Sequence, residues 1–187
     1  MPEDAYLPLS RLTETACRLA EMGKDSRLTP SAAQQEDAVL LRRTAETVYD
    51  HGRDRLQHAF ITPIEREDLL LLTQRMLRLV RCLERLQQPF CHPVPAKLCA
   101  CLSAAAGHLS ACCMALRQMT AALPFLRRSD GFAKPLHTVR RQTEDAERLL
   151  SELPSSEACP LFYRLEDTLE ACRSAADGFA LAVLKNS

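Results

Sequence analysis

The chain has 187 residues, 47% of them hydrophobic and 26% charged, and its 24 basic and 24 acidic side chains leave a formal net charge of zero. That balance excludes a disordered chain and argues against nucleic-acid binding, which draws on a basic surplus. Aromatic residues make up only 5% and Trp is absent, so stacking platforms for single strands are not expected either.

Eleven prolines and five glycines punctuate the sequence, and the prolines fall mainly between long segments that contain none. Because proline lacks an N–H and clashes with the preceding turn, this spacing predicts an all-α chain of about six helical segments. The first is expected over residues 9–22, where Leu9, Leu12, Ala16 and Leu19 fall on one face. The second is expected over residues 30–58, with Thr29 as N-cap, Pro30 at the first helical position, and Leu41, Ala45, Val48, Gly52 and Leu56 as its apolar stripe. In the third, Thr62-Pro63-Ile64-Glu65 reads as a capping box, and Glu65, Glu67 and Asp68 bring negative charge to the positive end of the helix dipole. Its stripe runs through Leu69, Leu72, Met76, Leu79, Leu83 and Leu86 to the proline-rich link 88–95.

The fourth helix is expected over residues 96–123, and its Ala and Cys content suits close packing at a bundle centre. A turn is expected at Ser129-Asp130-Gly131, then a fifth helix over 135–153 and a sixth over 159–184. Leu161, Leu165, Leu169, Cys172, Ala176, Phe179 and Val183 mark the buried face of the sixth. Short links between long helices imply antiparallel neighbours in one bundle, read as a single domain over residues 1–187.

No apolar run is read as reaching the roughly 18 residues that span a bilayer. The acidic start Met1-Pro2-Glu3-Asp4 lacks a signal-peptide apolar core, so a cytoplasmic location is expected. The nine Cys, an odd number in no secreted spacing, are read mostly as small buried hydrophobes.

Two stretches carry a family likeness. Phe60-Ile61-Thr62-Pro63-Ile64-Glu65-Arg66-Glu67-Asp68, with Leu56 four residues upstream, resembles a motif of the PhoU-like family in its single-domain branch linked to Pit-type phosphate transporters, with Glu65 where that branch typically has Asp. The run Leu165-Glu166-Asp167-Thr168-Leu169-Glu170-Ala171-Cys172 and the closing Leu184-Lys185-Asn186 resemble the same family. The resemblance implies a bundle of two three-helix layers and a non-enzymatic role in regulating inorganic phosphate uptake through contact with a Pit-type transporter. Any membrane contact would be through that partner, and a homo-oligomer is an open expectation.

Relatives often hold divalent or ferric metal on acidic helix motifs. The positions that match are Leu77, Arg78 and Arg81 in the third helix, Thr143 in the fifth, and Arg173 and Ser174 in the sixth, none of them acidic. Glu46, Glu147 and Glu170 keep an acid, and Asp50 and Glu166 join Glu46 and Glu170 at i, i+4 spacing. Glu46, Asp50, Glu147, Glu166 and Glu170 are therefore the candidate ligands of a reduced metal site. The favoured reading, however, is that these acids are solvated or paired with arginine, with Arg78 or Arg81 filling the ancestral metal position against Glu46 or Glu147, and no cofactor is expected.

Other constellations are weaker. Cys91, His92, Cys99, Cys101, His108, Cys112 and Cys113 cluster in one third of the chain but form no paired C-x-x-C, so a structural Cys-rich face is favoured over a Zn site. No G-x-S-x-G, P-loop or G-x-G-x-x-G occurs, and His51 beside Asp50 and Asp54 has no accompanying nucleophile, so an enzyme is not expected. Arg42, Arg43, Arg127 and Arg128 have the fork geometry to meet phosphate. Gly52, Gly107 and Gly178 suggest close helix contacts, within the chain or with a partner helix. The rival to the transport reading is a divergent helical adaptor or metal-binding bundle that has kept the fold and lost the role.

Overall fold

The computed structural model describes residues 3–25, 30–58, 64–88, 96–125, 130–152 and 160–186. Six helices follow in order: α1 Glu3–Asp25, α2 Ala32–His58, α3 Arg66–Leu86, α4 Ala96–Ala122, α5 Asp130–Ser151 and α6 Pro160–Asn186. A single 3-10 turn, Leu123–Phe125, extends α4, and no strand occurs among the described residues. The all-α bundle predicted from the proline spacing is present.

Helices α1, α3, α4 and α6 form the inner quartet, with α1 against α4 and α3 against α6. Outside them, α2 packs on α1 and α3, and α5 on α4 and α6. The chain thus makes two three-helix layers, α1–α3 and α4–α6.

The core lies where the periodic stripes place it. Leu9, Leu12, Ala16 and Leu19 of α1, the α3 stripe from Leu69 to Leu86, and Leu161, Leu165, Leu169, Cys172, Ala176 and Phe179 of α6 are all buried. Each fully buried leucine contributes about 1.5–3 kcal/mol over leaving it in water. On the outer helix α2 the stripe is thinner: Ala45, Gly52 and Leu56 are buried, whereas Leu41 and Val48 are half-buried. A polar contact crosses the centre between Thr13 Oγ1 and Thr120 Oγ1 at 3.1 Å; one hydroxyl donates to the other, which in turn donates to the carbonyl of its own helix, Leu9 O or Leu116 O.

Several boundaries differ from the sequence reading. Helix α1 begins before Pro8, because buried Tyr6 and Leu9 hold the first turns against the bundle. The N-cap of α2 is Ser31 rather than Thr29, which lies outside the described residues. Ser31 Oγ accepts from Gln34 N and Gln34 Oε1 accepts from Ser31 N, a reciprocal capping box that follows Pro30 directly. Helix α3 starts at Arg66 with Glu65 as N-cap and no side-chain cap, so Glu65 is not the third helical residue. Ile64 is buried and the Glu65 N–H donates to Asn186 Oδ1, which fixes the chain entry there. Phe60 to Pro63 lie outside the described residues. Asp130 and Gly131, expected in a turn, open α5, which carries Pro135 inside it.

Helix α4 also corrects a reading. Together with its 3-10 turn, over Cys99–Phe125, it is long and apolar enough to cross a membrane, and half of its most apolar stretch is buried in the bundle. Ser103, His108 and Ser110 interrupt a strict apolar run, but the Ala and Cys around them keep the average high.

Candidate functional site

The five candidate acids divide between the two layers. Glu46 lies on α2 beside α3, where Arg42 Nη1 reaches its Oε2 at 2.6 Å and Arg81 Nε reaches its Oε1 at 3.0 Å. Arg42 Nε also lies 3.8 Å from Glu84 Oε2, and Glu84 is buried in α3. Burial works against the charged form of Glu46, but the hydrogen bonds from Arg42 and Arg81 outweigh it and hold the carboxyl below its usual range. The pairing of Arg81 with Glu46 offered as an alternative to a metal is therefore formed, while Arg78 is exposed one turn before it.

In the second layer Arg173 of α6 takes the equivalent place. Its Nη2 contacts Glu147 Oε1 on α5, and its Nη1 lies 3.9 Å from Glu170 Oε2. Asp50 and Glu166 are exposed, each one turn from its expected partner. Among the described residues no three His, Cys, Asp or Glu side chains converge in a way that could hold a metal ion. The donor set is a poor match to a hard divalent or ferric ion, because a guanidinium stands among the carboxylates in each layer. The other matched positions agree with this: Leu77 is buried, and Thr143 is buried with its hydroxyl donating to Val139 O and Arg140 O.

Among the described residues the soft-ligand candidates form no metal-holding group, although Cys112 and Cys113 meet at Cys172. Cys91 and His92 lie outside the described residues. His108 Nδ1 is 2.7 Å from Gln142 Oε1 on α5, and Cys112 Sγ faces Val139 O at 3.8 Å. Burial pushes the Cys17 thiol up to about 12, with Cys113 adding to it, and raises Cys82 as well. Cys172 is raised by hydrogen bonds with Cys112 and Cys113 and by burial. These thiols are held protonated, away from the nucleophilic form. His51 and Asp54 are exposed on α2, Arg43 is exposed beside Leu40, and Arg127 and Arg128 lie outside the described residues.

The sequence reading missed the contact that ties its two quoted motifs together. Asp68, only 6% exposed at the start of α3, receives Lys185 Nζ at 2.8 Å and Asn186 Nδ2 at 3.4 Å from the end of α6. Nearby, Arg75 Nη1 donates to Ser174 O at 2.5 Å, across a strip where a Cβ at Gly178 would lie 3.1 Å from the Arg75 side chain and Leu72. Glycine at 178 is what lets α3 and α6 close together. The available signal was a buried-period position, Asp68, occupied by an acid.

Two solved structures share this arrangement of helices. A PhoU-like protein from Shewanella oneidensis MR-1 superposes with a TM-score of 0.57 at 18% identity, covering 97% of this chain and 99% of that one. A PhoU-like phosphate regulatory protein from the same organism gives 0.55 at 19% identity, covering 97% and 96%. The fold is PhoU-like. No family model matches the sequence, and no curated protein matches it. At such identities the PhoU-like likeness carries architecture, and the arginines within the acid clusters are features of this chain's own residues.

Proposed function

We propose that this chain is a non-enzymatic accessory protein of inorganic phosphate transport, acting in the cytoplasm as one PhoU-like domain through contact with a Pit-type transporter. The observation that carries the reading is the PhoU-like fold, in which the two motif regions quoted above meet at Asp68, Lys185 and Asn186. A helical bundle whose shifted thiols are held protonated, with Glu46 and Glu147 paired to arginine, is suited to binding rather than to chemistry.

The test is co-purification of the tagged chain with the Pit-type transporter of its own organism, together with phosphate uptake in cells lacking the chain. Association and altered uptake are expected. A chain that fails to associate, in cells whose uptake is unchanged by its loss, would sink the proposal.

A second reading, a divergent adaptor that has lost the phosphate role, is favoured by one observation. Arg81 and Arg173 occupy the acid clusters through which relatives often bind metal. Capture of other partners by a chain that leaves uptake unchanged would support it.

A further inference from the structure

Charge is unevenly placed in this neutral chain. Residues 96–143 hold seven basic side chains and one acidic one, Asp130, so the remainder carries the matching acidic excess. That segment comprises α4, its 3-10 turn and most of α5. Helix α4 has no acidic residue at all, and from Cys99 to Leu116 it has no formal charge.

The side of α4 turned away from the bundle is correspondingly apolar. Ala104, Gly107, Ala111, Met114, Gln118 and Phe125 lie along it at helical spacing, each exposed or half-exposed. Phe125 is 67% exposed and Met114 42%. A Cβ added at Gly107 would meet nothing within 4 Å, unlike one at Gly52 or Gly178.

Cations border this strip, and on the α1 side they are joined by Glu21, whose Oε1 accepts from Ser110 Oγ and whose Oε2 lies 3.6 Å from Lys24 Nζ. Arg117 is exposed on α4 itself. Helix α5 runs antiparallel alongside, with Gln142 beside His108 and Gly131 beside Ala122. Lys134 and Arg141, both exposed and seven residues apart on one face of α5, therefore flank the strip at two levels, Lys134 near its Met114–Phe125 end and Arg141 near Gly107 and Ala111. Arg140 turns the other way, 3.7 Å from Asp177 of α6.

We propose that the outward face of α4, bordered by Arg117, Lys134 and Arg141, docks directly on an anionic lipid surface. Protruding Phe and Met side chains on an uncharged helix face suit the boundary between headgroups and acyl chains, and the neighbouring cations meet the lipid phosphates. An acidic protein segment fits less well, because the strip between the cations offers few polar side chains to read a peptide, Gln118 being the main one. The proposal does not depend on the transport role.

Flotation of the full chain with vesicles tests it. Binding is expected with phosphatidylcholine vesicles containing phosphatidylglycerol and not with phosphatidylcholine alone. Arg117→Glu with Arg141→Glu should weaken it by about tenfold or more, while Arg53→Glu with Arg55→Glu on α2 should leave it unchanged. Both pairs are checked for wild-type circular dichroism. Because the chain contains no Trp, Phe125→Trp gives a single reporter whose emission should shift to the blue only with the anionic vesicles. No binding to either vesicle would overturn the proposal, as would equal weakening by the α2 pair or an unshifted indole emission from the bound Phe125→Trp variant. Retention on polyglutamate without vesicle binding would overturn it in favour of an acidic protein partner.

Discussion

Lys185 Nζ lies 2.8 Å from Asp68 Oδ1, joining residues 117 positions apart and fastening the end of α6 to the start of α3. Asp68 sits in the first turn, where the helix dipole favours a carboxylate, and is buried, so removing its partner strands a charge. Lys185→Ala should lower the melting temperature, and adding Asp68→Asn should cost less than the two single effects together. The hydrogen bond to Asp68 and its charge raise the Lys185 pKa above 10.5. A group with a raised folded pKa gives stability that is fully present below the unfolded value and is lost as pH rises through the folded one. The gap in melting temperature between wild type and Lys185→Ala should therefore hold at neutral pH and shrink above pH 10.5. A gap that is flat into strong alkali would mean the ion pair contributes nothing.

Arg81→Ala tests the α2–α3 cluster. Arg81 is 50% exposed and Glu46 29% on their side chains, so solvent screens the pair. The loss should be under about 1 kcal/mol, against the roughly 3–5 kcal/mol of a stranded buried ion. Glu46 has a depressed pKa, so its contribution is present above its ordinary 4.5 and is lost as pH falls below that, through the lower folded value. Urea melts of Glu46→Gln and wild type should differ slightly at neutral pH and converge in acid. A loss of several kcal/mol for Arg81→Ala would show that the cluster is effectively dry.

The paired substitutions Gly52→Ala and Gly107→Ala should move stability in opposite directions. At Gly52 the new Cβ would lie 2.6 Å from Cβ and Cγ of Pro8, a rigid ring on α1, so one of the two helices must shift. Overpacking of this kind costs about 1–3 kcal/mol. At Gly107 the Cβ meets open space, and the helix recovers most of the roughly 1 kcal/mol that glycine costs relative to alanine. Thermal melts of the two variants decide it, and stabilisation by Gly52→Ala would show that the α1–α2 crossing yields easily.

These contrasts mark what the sequence could reveal. Leu9, Leu12, Leu69, Leu72, Leu165 and Phe179 announce buried faces because hydrophobic period is a local property. Helix starts were misplaced where a distant residue decides them: Asn186 takes the Glu65 N–H, and nothing near residue 65 reveals that. Glycines at 52, 107 and 178 look alike in sequence, and only the opposing surface separates the two that admit a neighbour from the one that faces outward. The candidate acids were legible as acids, but their sharing between Arg81 in one layer and Arg173 in the other depends on the packing of α2 on α3 and α5 on α6.

Thiol labelling gives a separate check on the inner quartet. Cys112, Cys113 and Cys172 are wholly buried where α4 meets α6, whereas Cys99 and Cys101 near the start of α4 are half-buried. Cys17, beside Cys113, is pushed up to about 12 chiefly by burial, so at pH 8 only about one part in ten thousand is thiolate. A brief iodoacetamide pulse on the native protein, read by peptide mass spectrometry, should modify Cys99 and Cys101 before the four buried thiols just named. Cys17, Cys112, Cys113 and Cys172 should react only once denaturant unfolds the chain, and their reaction should track loss of helical circular dichroism. Labelling of Cys172 in the folded protein at the rate of Cys101 would mean that α4 and α6 part readily, and that the centre of the bundle is far looser than its packing requires.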